Sequence, residues 1–197
     1  MKTRILFLAE NLALTLIYFA CGKFGLSLAF VNASATAVWP PSGVALAALL
    51  IRGNRLWPGV ALGAFLVNIT TQGSFATSLG IALGNTLEAV LGAWLVCRFA
   101  KGVEAFERTK TIFRFVLLAA LASTLVSAFF GVTSLCLGGL AHWDQYFPIW
   151  FTWWLGDMVS EVVITPLLVV WLIKPSPRLS RSQIGEGTCL LAVIIWV

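Results

Sequence analysis

Two acidic residues in an otherwise apolar stretch are the side chains most suited to chemistry. The stretch FTWWLGDMVSEVVITPLL, residues 151–168, contains Asp157 and Glu161. Trp153 and Thr165 continue the spacing of four residues, so all four side chains share one face of a helix. A charge at the bilayer centre costs about 2.5–3.5 kcal/mol, and carboxylates one turn apart repel. We therefore predict a polar site at which one carboxyl holds a proton; a structural role in fixing a bundle is the alternative.

A third acidic residue, Glu88, lies in another apolar stretch and is predicted to face the same interior. Small residues at intervals of four continue its helix face, and such residues allow helix backbones to approach closely. Asn85 is one turn before Glu88, near enough to help satisfy the carboxyl group. The small residues of this stripe are Gly80, Gly84 and Gly92.

The composition requires a membrane. The 197 residues are 59% hydrophobic and 11% charged, with a mean hydropathy of +0.94, whereas soluble domains have about 25% charged residues. A soluble domain of this size cannot bury so much apolar side chain. A spanning helix needs roughly 20 residues, which four apolar stretches provide. We predict one all-α domain, residues 1–197, a polytopic transmembrane helix bundle built from residues 5–30, 42–51, 56–71, 75–97, 111–138, 147–173 and 187–197.

The basic residues predict the orientation of this bundle. Twelve of the 13 lie at every second junction between apolar stretches, and the other junctions are almost bare. This positive-inside pattern places the N-terminus in the cytoplasm. Because it also accounts for the net charge of +5, we expect the lipid bilayer and no nucleic acid as a partner. The clusters are Lys2 and Arg4; Arg52 and Arg55; Arg98, Lys101, Arg108, Lys110 and Arg114; and Lys174, Arg178 and Arg181.

The motif WPPSG interrupts the apolar pattern at an unexpected depth. Ten residues separate Pro41 from Arg52, and ten helical residues reach about 15 Å, half of the hydrocarbon core. The motif is therefore expected near mid-membrane. A residue before proline avoids the helical region, so Trp39 and Pro40 are predicted to be extended, with Pro41 in the first helical turn. The motif consists of Trp39, Pro40, Pro41, Ser42 and Gly43.

Irregular backbone at that depth survives only when it is buried in protein or lines a wet cavity. We predict a broken or short helix around residues 31–51, because broken helices expose N–H groups and a positive dipole end to a ligand. Residues 42–44 should then lie within about 12 Å of Asp157 or Glu161. A long outer loop followed by a short tilted helix is the alternative.

Other polar residues have weaker functional interpretations. Lys23 either snorkels at the outer interface or bends inward to pair with Asp157 or Glu161. His142 and Asp144 are interpreted as solvated loop residues, and not as a metal pair, because the chain has one histidine. The sequence has no Ser-His-Asp pattern, P-loop or HExxH motif, so we expect no catalytic residue, metal site or cofactor, and no enzyme activity in this chain.

Four motifs in order resemble one known family from about residue 10 to the end. They are WPPSG at residues 39–43, WPGVALGAFLVN at 57–68, GNTLEA at 84–89 and WWLGD at 153–157. Together they are similar to the membrane-associated sensor 1 (MASE) domain family. The resemblance implies an integral-membrane sensory domain of the bacterial inner membrane that precedes histidine kinases, diguanylate cyclases or cyclic-di-GMP phosphodiesterases.

We therefore expect a sensory input domain of a signal-transduction protein, such as a two-component system, which detects a small ligand or a membrane protein partner. The alternatives are a small-molecule transporter or substrate-capture subunit, and a structural anchor. The sequence ends within its last apolar stretch without an output domain, so we expect a fragment or a lost connection; a homodimer through that output domain stays open. The expected ligand-binding residues are Trp39, Pro40, Pro41, Ser42, Gly43, Asn68, Asn85, Glu88, Trp153, Asp157 and Glu161.

Overall fold

The computed structural model describes residues 2–29 and 33–173, and every regular element in these ranges is helical. A π-helical segment, Val116–Ser123, joins the fifth and sixth helices without a break. Short 3₁₀ turns cover Asn54–Leu56, Gly102–Phe106 and Trp143–Gln145. The seven helices are α1 (Lys2–Leu26), α2 (Pro40–Arg52), α3 (Trp57–Ile69), α4 (Phe75–Phe99), α5 (Thr109–Phe115), α6 (Thr124–Leu137) and α7 (Tyr146–Ile173).

Four helical stretches of the described chain are long and apolar enough to cross a membrane: Thr3–Leu26, Phe75–Phe99, Thr109–Leu137 and Trp143–Ile173. The prediction of an all-α transmembrane bundle is confirmed. Helices α2 and α3 have 13 residues each, about 20 Å of helix. They are joined by the turn Asn54–Leu56 and pack on α1, α4 and α7 more than on each other; we call this connected pair the α2–α3 hairpin. The predicted apolar stretch at residues 187–197 lies outside the described residues.

Helix α2 begins where the two prolines permit it. Trp39 caps the helix with φ −118° and ψ 78°, and the prolines occupy the first two positions, where a missing N–H costs nothing. Trp39 therefore avoids the helical region, as expected of a residue before proline, but its ψ of 78° is short of the extended conformation that was predicted. The expectation that Pro40 is extended was wrong, because α2 starts at Pro40 itself. A proline in the first turn already has a helical φ.

Three residues of the irregular segment before α2, residues 33–39, are buried in protein. Ala35, Thr36 and Trp39 are each at most 7% exposed. The Trp39 N–H donates to the Gly156 carbonyl at 3.3 Å, and a Cβ at Gly156 would collide with the Thr36 carbonyl. The predicted burial of the break against other helices is confirmed. Its depth in the bilayer remains a prediction.

Small residues bring the long helices together. Gly59 and Gly63 face Asn11 and Tyr18 of α1. The predicted stripe on α4 also packs inward, with Gly80 and Gly84 against Ser134 and Phe130 of α6 and Gly92 against Ser123. Close contacts of this kind are typical of helix interfaces in membranes.

Helix α1 is fastened to the α2–α3 hairpin at both ends. Glu10 forms ion pairs with Arg52 and Arg55, the two basic residues that flank the turn between α2 and α3. At the other end the Lys23 ammonium donates to the Thr70 carbonyl and the Thr71 hydroxyl, each at 2.9 Å. The structure supports the interpretation that Lys23 lies at the outer interface and does not bend inward to Asp157 or Glu161. Its ammonium group donates to acceptors at the end of α3 and to no carboxyl group in the described chain.

The burial of the WPPSG segment predicts protection of residue 39 from water-soluble reagents. In a cysteine-free background, Trp39→Cys should react with a membrane-impermeant maleimide roughly tenfold more slowly than Trp143→Cys, because Trp39 is 7% and Trp143 58% exposed. The measurement is the labelling rate in intact vesicles. Equal labelling rates for the two variants would show that residues 33–39 form an open loop.

Candidate functional site

The first turn of α2 is hydrogen-bonded along one face of α7. The Ser42 hydroxyl donates to Asp157 Oδ1 at 2.6 Å, and the Gly43 N–H donates to the Ser160 hydroxyl at 3.0 Å. The Thr165 hydroxyl donates back to the Gly43 carbonyl at 3.0 Å. We call these three bonds the α2–α7 clamp. They hold a helix start, which has unpaired backbone groups, against a helix face that satisfies them.

Glycine at position 43 is what allows this approach. A Cβ there would lie 2.5 Å from the Ser160 carbonyl oxygen and 2.8 Å from the Ile164 Cβ. No real Cβ tolerates such contacts, so the two backbones would separate. Residues 42–44 lie close to a carboxylate as predicted. The donor is not the backbone N–H that was expected, however. Asp157 accepts a hydrogen bond from the Ser42 hydroxyl, while the Gly43 N–H donates to the Ser160 hydroxyl.

Three carboxyl groups from two helices meet beside this clamp. Glu88 of α4 is 1% exposed, and Asp157 and Glu161 of α7 are fully buried. Each interacts electrostatically with the other two. We call these residues the carboxyl centre. Both oxygens of Glu88 and of Glu161, and Oδ2 of Asp157, have no partner with hydrogen-bond geometry in the described chain.

No basic side chain neutralises the carboxyl centre within residues 2–29 and 33–173. The ion pairs of this part of the chain join Arg52 and Arg55 to Glu10, and Lys23 binds the end of α3. No set of three His, Cys, Asp or Glu side chains in these ranges is arranged to hold a metal ion. An uncompensated buried carboxylate costs several kcal/mol. Protonation of these carboxyl groups, or a positive charge brought by an occupant, would offset this cost.

A tyrosine that the sequence analysis did not single out extends this polar interior. The Tyr18 hydroxyl donates to Asn85 Oδ1 at 2.9 Å, and the Asn85 amide donates to the Ile81 carbonyl at 2.9 Å. Asn85 thus bonds Tyr18 and its own helix, and it does not satisfy the Glu88 carboxyl group as expected. Tyr18 is 1% exposed and lies within electrostatic range of Glu88 and Asp157.

A pattern in α1 points to Tyr18. Asn11, Thr15 and Tyr18 recur at the spacing of one helix face in an apolar stretch. The first two serve the helix contact: Gly59 donates its N–H to Asn11 Oδ1 at 2.8 Å and accepts from the Thr15 hydroxyl at 3.1 Å. The third reaches the polar interior. No comparable spacing of polar residues in the sequence pointed to Ser127 and Ser160, the serines of the site.

The two tryptophans of the expected site flank the carboxyl centre differently. Trp153 is 5% exposed, and its indole N–H donates to the Ser127 hydroxyl at 3.0 Å. Trp39 packs edge-on against Tyr18, with ring centroids 6.5 Å apart, and its buried indole nitrogen has no hydrogen-bond partner among the described residues. A cavity of about 10 Å³ between the two tryptophans also touches Ser34, Ala35 and Thr36, enough for about one water molecule.

Asn68 has a local role. Its side-chain amide donates to the Ala64 carbonyl at 2.8 Å. Its backbone carbonyl accepts from the N–H groups of Thr71 and Gly73, which close the turn between α3 and α4. These contacts belong to the end of α3 and not to the carboxyl centre. The structure therefore joins Trp39, Ser42, Gly43, Asn85, Glu88, Trp153, Asp157 and Glu161 into one polar interior, with Pro40 and Pro41 in the first turn that carries Ser42.

Comparison with known proteins identifies the fold's relatives. The family model described as MASE1 matches residues 11–196. A curated protein, the probable diguanylate cyclase DgcE of Escherichia coli (strain K12), is 24% identical over 172 residues. The alignment covers 85% of this chain, and the chain spans 15% of that relative. No solved structure matches the chain.

The α2–α7 clamp makes a prediction about stability. Ser42→Ala leaves Asp157 Oδ1 without its donor and should lower the free energy of unfolding by about 1–3 kcal/mol. Ser78→Ala is the matched control, because the Ser78 hydroxyl is equally buried and has no hydrogen-bond partner in the part of the chain that the structure describes; its loss should be close to neutral. Denaturant unfolding of the chain in lipid nanodiscs provides the measurement. Equal effects of the two substitutions would contradict the clamp.

Proposed function

The chain belongs to the MASE1 family, and we propose that it detects a stimulus at the carboxyl centre and relays it through α7 to a cytoplasmic output domain. A multi-pass bacterial membrane domain of a sensory family is the starting point of this proposal. What we propose beyond this is the detection of a stimulus, its relay, and the orientation of the domain in the membrane. The clusters of basic residues support an N-terminus in the cytoplasm and an inner-membrane location.

The observation that carries the proposal is the meeting of three buried carboxyl groups with no counter-ion in the described chain. Intramembrane acidic residues are expensive and are functional by default. A stabilising core would be cheaper with apolar side chains of similar volume, since buried charges rarely repay their desolvation. The chemistry of the centre favours an occupant that donates hydrogen bonds or carries positive charge, such as protons or a small organic cation.

The clamp supplies the route by which occupancy changes the fold. Ser42 and an occupant would compete for the same acceptor, Asp157. When the occupant wins, the first turn of α2 loses one of its three bonds to α7. Helix interfaces respond to such changes by shifts of about 1–2 Å. The stimulus acts only to the extent that it binds the clamped and released forms with different affinity.

Helix α7 is the element that leads away from the site. It runs unbroken from Tyr146 to Ile173, with Asp157 and Glu161 near its middle. A displacement at the clamp would therefore reach Ile173 along one helix, which contains Pro166. The relative named as a probable diguanylate cyclase favours a cyclase as the output; a histidine kinase, and a homodimer formed through the output domain, are further options for the whole protein.

Asp157→Asn separates signalling from folding. The amide keeps the shape of the side chain and still accepts from Ser42, but it removes one acidic group from the centre. In the chain joined to its output domain, we expect normal membrane abundance and an output per molecule changed at least about fivefold, equivalent to ~1 kcal/mol of coupling. The measurements are cyclic-di-GMP or phosphorylation level and membrane-fraction immunoblots.

Asp144→Asn is the control for this experiment. It makes the same chemical change at an exposed residue of the turn before α7 and should leave both readings unchanged. If Asp157→Asn lowers abundance while the output per molecule stays constant, the carboxyl centre has a structural role. If the output never responds but a solute accumulates in vesicles in a manner that depends on Asp157, the chain is a transporter or substrate-capture subunit.

A further inference from the structure

A cleft at the basic end of α4 has the features of a binding site for an amphiphilic anion. Its volume is about 440 Å³, and it lies between the end of α4 and the beginning of the π-helical segment. Two arginines and three apolar side chains line it: Arg98, Arg114, Phe99, Leu117 and Leu118.

The two arginines are held on either side of one residue. Arg114 Nη1 donates to the Phe99 carbonyl at 3.1 Å, and the Arg98 guanidinium lies 5.5 Å from the centroid of the Phe99 ring. These contacts use one N–H of Arg114 and one face of the Arg98 guanidinium group. Because each guanidinium has five N–H donors in a planar fork, most donors stay available to an anion in the cleft.

Neither arginine is neutralised by a carboxylate in the described chain, where the ion pairs are those of Glu10 with Arg52 and Arg55. The cleft therefore differs from the end of the α2–α3 hairpin, where Glu10 balances part of the charge. An unbalanced pair of guanidinium groups is complementary to a phosphate, which both can contact through bidentate hydrogen bonds.

The cleft also has an apolar wall, and it lies beside the ends of two candidate membrane spans. Phe99 is 45% and Leu117 58% exposed. Arg98 is the next-to-last residue of the spanning stretch Phe75–Phe99, and Arg114 lies in the first turns of Thr109–Leu137. Charged donors and exposed apolar side chains thus meet at the edge of the bilayer, where a phospholipid presents its phosphate directly above its acyl chains.

We propose that this cleft binds one anionic phospholipid, with the phosphate between Arg98 and Arg114 and an acyl chain along Phe99, Leu117 and Leu118. Basic pockets between transmembrane helices recognise anionic headgroups in this way. A phosphatidylglycerol headgroup carries net negative charge, whereas the choline of phosphatidylcholine adds a cation beside the two arginines. This site is separate from the carboxyl centre and does not depend on the proposed sensory function.

The lipid would lie against a part of the fold that contacts α7. Leu117 and Leu118 belong to the π-helical segment, and Leu121 of that segment accepts the Trp154 indole N–H at 3.2 Å. Segments of π-helix are rare and occur frequently at functional sites. Lipid binding would therefore stabilise one arrangement of this segment against α7.

The test compares lipids that differ only in their headgroup. The purified chain is equilibrated with equal amounts of phosphatidylglycerol and phosphatidylcholine of identical acyl chains, and bound lipids are counted by native mass spectrometry. Two basic contacts predict a preference for phosphatidylglycerol of roughly thirtyfold. The R98Q/R114Q variant should bind the two lipids about equally. The R98K/R114K variant, which keeps charge but loses the planar forks, should retain a reduced preference and decides the test if R98Q/R114Q does not fold.

K101Q/K110Q is the matched control, because it removes the same charge from exposed residues of the same basic cluster that do not line the cleft. It should keep the wild-type preference. Equal loss in K101Q/K110Q and R98Q/R114Q would overturn the proposal in favour of general surface attraction. Equal binding of both lipids by the wild-type chain, or an unchanged preference in R98K/R114K, would also overturn it. Displacement of the lipid by an equal concentration of glycerol phosphate would show a site for soluble anions instead.

Discussion

The contact of the first turn of α2 with α7 is the constraint on which the rest of the structure depends. A helix that starts inside the bundle has N–H groups that water cannot reach, and in a low-dielectric interior each needs a protein partner. Helix α7 provides hydroxyl and carboxyl groups at the required spacing, and Gly43 removes the side chain that would keep the backbones apart. The preceding residues 33–39 must then lie against Gly156.

The clamp accounts for only part of the tolerance of acidic residues in this interior. Asp157 has one oxygen satisfied by Ser42, but the opposite oxygen and the carboxyl groups of Glu88 and Glu161 do not share this support. Helix α4, which carries Glu88, is fixed against α6 through glycines, and α1, which carries Tyr18, is bonded to α3 through Asn11 and Thr15. The scaffold therefore holds the three groups together despite their mutual repulsion, which is the condition for a site that responds to its occupant.

Much of the fold and part of the candidate site were predictable from sequence, because both follow from local patterns. Long apolar stretches predicted the four spanning helices, the Trp-Pro-Pro motif predicted the start of a short helix, and the four-residue spacing predicted that Glu88 faces inward. The pairing of faces was not predictable in this way. Periodicity says which side of a helix is polar, but not that Tyr18 meets Asn85 or that Ser42, and not a backbone N–H, reaches Asp157. Those choices depend on side-chain rotation and on helix offsets of a few ångströms, which no local pattern encodes.

The α2–α3 hairpin has a consequence for the surrounding lipid. Each of its helices spans about 20 Å, whereas the hydrocarbon layer is about 30 Å thick. Helix α3 presents Trp57 and Leu62 at its surface, and its far end is a turn of Thr70 and Thr71 held by Lys23. Lipid beside this hairpin must thin to meet the polar ends, at a cost that rises with acyl-chain length. The bundle is consequently coupled to the thickness of the bilayer on this one side, because the mismatch grows in membranes of longer lipids and shrinks in thinner membranes.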